Sequence, residues 1–167
     1  MKNVLAICGS LRTASTSERI TQFITQQYRR QISVHPYRNL AQLPYFNPDL
    51  VTPPVVMDFL QQIEQADAVL IVSPEYVFSV PGVLKNALEW TVATTVFANK
   101  PVALITAATN GEYAHKSLTL IMQTLGGLLG ESSTLLIKGA RSKLNDQGDV
   151  IDEEARQNIQ ALIEALI

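Results

Sequence analysis

The sequence predicts a three-layer α/β fold: a five-stranded parallel sheet in the order 2-1-3-4-5, with helices on both faces. Three observations point to it. Five short apolar runs alternate with stretches of helical periodicity along the chain. The runs Ala68 to Ser73 and Pro101 to Ala107 are apolar almost throughout, as parallel strands covered on both faces must be. Two loops of unusual polar composition follow the first and third strands, which are neighbours where this strand order reverses direction. Strict alternation of strand and helix requires right-handed crossovers, which place the helices on both faces of the sheet.

In chain order, the first strand is expected at about Asn3 to Cys8. A helix follows from near Ser15 to Arg30, with Ile20, Phe23, Ile24 and Tyr28 on one face. The second strand, Ile32 to Tyr37, alternates and is more polar, as an edge strand would be. After a loop carrying Pro44, Pro48, Pro53 and Pro54, a second helix presents Val55, Val56, Phe59, Leu60 and Ile63. The third strand is Ala68 to Ser73, and the third helix starts near Pro81, a residue suited to a first helical turn. Its inner face carries Leu84, Ala87, Leu88 and Thr91. Pro101 to Ala107 is the fourth strand, and the fourth helix carries Leu118, Ile121, Met122 and Leu125 before Gly126-Gly127. The fifth strand is about Ser133 to Lys138, and Asp152 is placed to cap a last helix with Ile159, Leu162, Ile163 and Leu166 inward.

Composition narrows the function. A chain of 167 residues, 47% hydrophobic and 17% charged, is expected to be one domain over 1–167 with a substantial core. A formal charge of -2 leaves no basic footprint for nucleic acid or an anionic membrane surface. No apolar run approaches a membrane span, and Val4 to Cys8 is too short for a signal-peptide core, so no membrane insertion is expected. The single cysteine, Cys8, reads as a small buried hydrophobe and points to the cytoplasm. His35 and His115 lack the spacing of a ligand set, so no metal is expected.

Three loops carry the chemistry. In Gly9-Ser10-Leu11-Arg12-Thr13-Ala14-Ser15-Thr16-Ser17, a helix start supplies free N–H groups and a favourable dipole for an anion. Ser10, Ser15, Thr16 and Ser17 add hydroxyls, and Arg12 adds a guanidinium that can grip two oxygens. The loop matches neither the dinucleotide pattern nor the triphosphate loop, so a terminal monophosphate fits best; a Ser/Thr-rich cap beside a solvated arginine is the plain alternative. In Pro74-Glu75-Tyr76-Val77-Phe78-Ser79, Tyr76 and Phe78 either border a flat aromatic ligand or plug the loop onto the core. Glu75 is a solvated charge or the partner of a basic group. Thr109-Asn110-Gly111 is a tight turn whose N–H groups could meet the polar rim of a ring, or simply a connection.

At these loops the chain resembles the NADPH-dependent FMN reductase family, flavodoxin-like reductases of quinones, azo compounds and flavins. Gly9, Ser10, Arg12 and Ser15 match its G-S-x-R-x-x-S pattern. Its second signature, P-E-Y-N-x-S-x-P-G-x-L-K-N-A-[IL]-[DE]-W, is met by Pro74, Glu75, Tyr76, Ser79, Pro81, Gly82 and Leu84 through Trp90. The resemblance implies FMN as cofactor and NADPH or NADH as co-substrate, with hydride passing to the flavin and then to a quinone, azo compound or free flavin. It implies that Ser10, Arg12, Ser15 and Ser17, with Thr16 in the same turn, hold the FMN phosphate. Pro74, Glu75 and Tyr76 would line the isoalloxazine, Val77 and Phe78 standing beside them, and Thr109, Asn110 and Gly111 would face its pyrimidine side. No acid–base side chain is required, so no catalytic residue is expected. A homodimer or homotetramer is implied, with Lys85, Asn86, Glu89 and Trp90 structural or interfacial. Two departures stand out: Val77 replaces the family's usual Asn, and Glu112, Tyr113, Ala114 and His115 follow Gly111 where the family is richer in glycine. The rival reading is a flavodoxin-like electron carrier without its own NAD(P)H activity, for which the charge of -2 is small.

Overall fold

The computed structural model describes residues 1–167. Five parallel strands form one sheet: β1 (Lys2–Cys8), β2 (Ile32–Pro36), β3 (Ala68–Ser73), β4 (Val102–Ala108) and β5 (Thr134–Lys138), in the order β2-β1-β3-β4-β5. Val4 pairs with Ala68 across β1 and β3, and Val69 with Val102 across β3 and β4, so the carboxyl ends of all three strands open on one edge. Between the strands run α1 (Thr16–Gln27), α2 (Pro54–Gln65), α3 (Gly82–Glu89) and α4 (Glu112–Thr124), and α5 (Glu153–Leu166) closes the chain.

Alternate side chains of the inner strands enter two separate cores. Leu5, Ile7, Val69, Ile71 and Leu104 pack under α2, α3 and α4, against Phe59, Ile63, Leu84, Leu88 and Met122. Val4, Leu70, Val72 and Ile105 face α1 and α5, against Ile20, Ile24, Ile159, Leu162 and Ile163. All six residues of β3 are buried, which accounts for its unbroken apolar run. Each fully buried Leu, Ile or Phe contributes roughly 1.5–3 kcal/mol. The rim can therefore be assembled from loops on a stiff support.

The expected inner faces of the helices are the buried or partly buried ones. Boundaries differ where tertiary pairing intervenes. The first helix stops at Gln27 rather than Arg30, because the Gln31 and Ile32 N–H groups both turn back to the Tyr28 carbonyl to launch β2. Two short 3₁₀ turns, Leu40–Gln42 and Ala140–Lys143, were not expected from the sequence. Asp152 caps α5 as expected, its carboxylate accepting from Ala155 N–H.

Candidate active site

The loop after β1 is pressed against the end of β3. A methyl group on Gly9 would meet Ser73 Oγ at 2.6 Å, so only glycine lets the backbone approach this closely. The chain then turns through Ala14, at φ +54°, into α1. Ser15 is the N-cap, and its hydroxyl accepts the Glu18 N–H at 3.2 Å. The Ala14 N–H donates to Glu18 Oε2. The Thr16 and Ser17 N–H groups find no acceptor within the chain. Ser17 Oγ also lacks a partner, although the residue is only 1% exposed. A buried hydroxyl and two free amides at a helix start leave a strong demand for an anionic acceptor.

The loop after β3 reaches the same place. Tyr76 OH lies 3.2 Å from Ser10 Oγ, and Ser10 Oγ in turn accepts the Arg12 N–H. Beyond Tyr76 the chain makes a tight hairpin: Tyr76 and Ser79 exchange both N–H···O=C bonds, with Val77 at φ +50° and Phe78 at φ +55° between them. Paired positive φ values are the geometry of a type I′ turn, which favours Asn or Gly over a β-branched residue. Val77 is 95% exposed; the Phe78 ring stands edge-on to Tyr113 of α4, centroids 5.5 Å apart.

Glu75 is neither a solvated charge nor the partner of a cation. Its two carboxylate oxygens accept the Gly111 and Ala114 N–H groups, joining this loop to the one after β4. The Gly111 N–H is therefore turned away from any ligand, whereas those of Thr109 and Asn110 have no partner. The loop after β5 closes the fourth side, with the Gly139 N–H donating to the Thr109 carbonyl at 3.2 Å.

Together these loops enclose a cavity of about 430 Å³. Of the residues expected from the sequence, Ser10, Arg12, Ser15, Thr16, Ser17, Pro74, Glu75, Tyr76 and Thr109 line it; Val77, Phe78, Asn110 and Gly111 stand at its margin and do not. Sequence reasoning missed Gly139, Ala140, Arg141 and Ser142, which also line it. Only the sheet order brings them there, although Gly139-Ala140-Arg141 after an apolar strand was a readable hint. Arg12 and Arg141 are its two cations, and neither is ion-paired.

Nearby groups are chemically quiet. Burial pushes the Cys8 thiol above its ordinary 9.0, which suppresses thiolate at neutral pH. His115 is half-buried with Nδ1 3.0 Å from Thr106 Oγ1, and burial lowers its pKa. Asn86 and Trp90 are structural, as the motif reading expected: both donate to the Pro44 carbonyl, and Asn86 accepts the Phe46 N–H. Lys85 pairs with Glu89 at 2.6 Å along α3.

Comparison with known proteins places these features in a family. The family model described as NADPH-dependent FMN reductase matches residues 2–141. An NAD(P)H-dependent FMN reductase of Pseudomonas aeruginosa is 32% identical, over 98% of this chain and 92% of that protein. An NAD(P)H:quinone oxidoreductase of Solanum tuberosum is 30% identical, over 98% of this chain and 90% of that protein. Among solved structures, the flavoenzyme NAD(P)H:(acceptor) oxidoreductase FerB of Paracoccus denitrificans superposes with a TM-score of 0.80 at 25% identity, covering 99% of this chain and 95% of that one.

Proposed function

Because the chain belongs to the NADPH-dependent FMN reductase family, we propose that the cavity above β1, β3, β4 and β5 is its FMN site. The protein is an FMN-dependent NAD(P)H oxidoreductase. Bound there, FMN would supply the redox chemistry, accepting hydride from NAD(P)H and passing the electrons to a second substrate. The orphaned Ser17 hydroxyl carries the assignment of the phosphate end. With the Thr16 and Ser17 N–H groups, the Ser15 turn and Arg12, it makes a cradle that fits a phosphate dianion.

The remaining roles follow from the donors left over. Arg141 adds a second positive charge for an anionic ligand, and Ser10 anchors the loop through Tyr76. Pro74, Glu75 and Tyr76 form one wall, with the free N–H groups of Thr109 and Asn110 on the adjoining loop. Hydride transfer needs no protein acid or base, and this reading assigns none. The chain's contribution is to bind, orient and exclude water.

The acceptor is a quinone, azo compound or free flavin, since flat aromatic substrates suit the exposed Tyr76, Phe78 and Tyr113 rings beside the cavity. NADPH or NADH stands as the co-substrate. The apolar groove between α3 and α4, with exposed Val92 and Leu120, supports a homodimer or homotetramer. One cysteine in the chain supports a cytoplasmic location. Protein reconstituted with FMN should oxidise NADH or NADPH with a quinone or ferricyanide, bleaching its flavin directly in stopped flow. A stable yellow complex that NAD(P)H fails to bleach would make it an electron carrier instead, and failure to bind FMN would remove the site.

A further inference from the structure

Helix α4 starts without a side-chain cap of its own, because its N-cap position is Gly111 at φ +84°. The acceptors come from another loop. Glu75 Oε1 accepts the Gly111 N–H at 3.1 Å, and Oε2 accepts the Ala114 N–H at 3.0 Å, across 36 and 39 residues of chain. These are the N-cap and N3 amides, the two donors that a capping box satisfies with two side chains of the helix itself. Here one carboxylate from the loop after β3 serves both, and it sits at the positive end of the helix dipole.

The placement has a consequence for the neighbouring backbone. Gly111 is held by Glu75 on one side, and the Thr109 carbonyl is held by Gly139 N–H on the other. Between these two ties, the Thr109 and Asn110 N–H groups have no partner, and Thr109 lines the cavity.

We infer that Glu75 is a positioning residue for the bound cofactor: its carboxylate caps α4 from the adjacent loop and so holds the Thr109 and Asn110 N–H groups toward the flavin. This rests on the FMN reading of the cavity. A carboxylate is required for both bonds, since glutamine has one acceptor oxygen and would set an NH₂ donor against the second N–H. Glu75 also puts a negative charge on the wall of a cavity that receives electrons.

The test is Glu75→Gln, followed by FMN fluorescence titration, the visible spectrum and the midpoint potential of the bound flavin. Folding of the variant is checked by circular dichroism. About tenfold weaker FMN binding is expected, from the loss of a charge-assisted hydrogen bond. An altered flavin spectrum should accompany it, which a purely structural cap would leave unmoved, and loss of the carboxylate charge should make the potential more positive. A variant that binds FMN with unchanged affinity, spectrum and potential overturns the proposal. Should Glu75→Gln fail to fold, amide hydrogen exchange on the wild type decides. Gly111 and Ala114 should be protected without FMN, and Thr109 and Asn110 should become protected only on saturation with it; unchanged exchange at Thr109 and Asn110 overturns the proposal. A wild type that binds no FMN at all overturns the functional reading itself, and this inference with it.

Discussion

The Tyr76 hydroxyl lies 3.2 Å from Ser10 Oγ, joining loops 66 residues apart at the lip of the cavity. Both residues line that cavity, so the bond closes the gap between the loop after β1 and the loop after β3. Replacing Tyr76 with Phe removes the tie and keeps the ring. FMN affinity should fall by about 0.5–1.5 kcal/mol, a net hydrogen bond's worth, with the melting temperature nearly unchanged. Fluorescence titration and thermal melting of the apoprotein check the two halves.

Arg12 is exposed and makes no ion pair, so its charge supports nothing in the fold itself. Arg12→Ala should weaken FMN by roughly 1.5–3 kcal/mol, the range for a hydrogen bond to a charged group. Arg12→Lys should fall between, because an ammonium keeps the charge but not the two-pronged grip. Affinity measured by titration should be lost without a change in urea midpoint.

Val77 holds a left-handed conformation that costs an L-residue roughly 1–2 kcal/mol, while its side chain gains nothing from packing. Asn tolerates this conformation. Val77→Asn should stabilise the apoprotein by about 0.5–1 kcal/mol, read from chemical denaturation. An equal or lower midpoint would mean that the hairpin is not strained.

His115 supplies a pH dependence. Burial lowers its pKa from the ordinary 6.5, so the folded state keeps the imidazole neutral. As pH falls below 6.5 the unfolded chain takes up the proton first. Stability is therefore full above that value and declines as pH drops toward the depressed native pKa. Melting temperatures between about pH 7.5 and about pH 5 should fall more steeply for wild type than for His115→Gln.

Much of the fold was legible because its signals are local. Unbroken apolar runs gave β3 and β4, 3.6-residue periodicity gave the helix faces, and Asp152 announced α5. That the loop after β1 lines a cavity was legible for the same reason: hydroxyls, a glycine and an arginine stand together before a helix. What escaped depends on strand order and on backbone partners. Arg141 reaches the cavity only because β5 lies beside β4. Glu75 read as a solvated charge or the partner of a basic group because its actual partners are main-chain amides, which no residue type betrays. Phe78 finds Tyr113 across the loops, so its ring neither plugs the core nor lines the cavity.

The turn after β5 is stitched back to α1, with the Arg19 guanidinium donating to the Asn145 and Asp146 carbonyls and packing against Gly148. Beyond it, α5 buries Ala155, Ile159, Leu162, Ile163 and Leu166 on the side of the sheet that also carries α1. Trimming the polypeptide at Arg141, where the family match stops, would wet that flank and release the start of α1 from its far tether. The segment beyond Arg141 thus supports the start of α1 from behind.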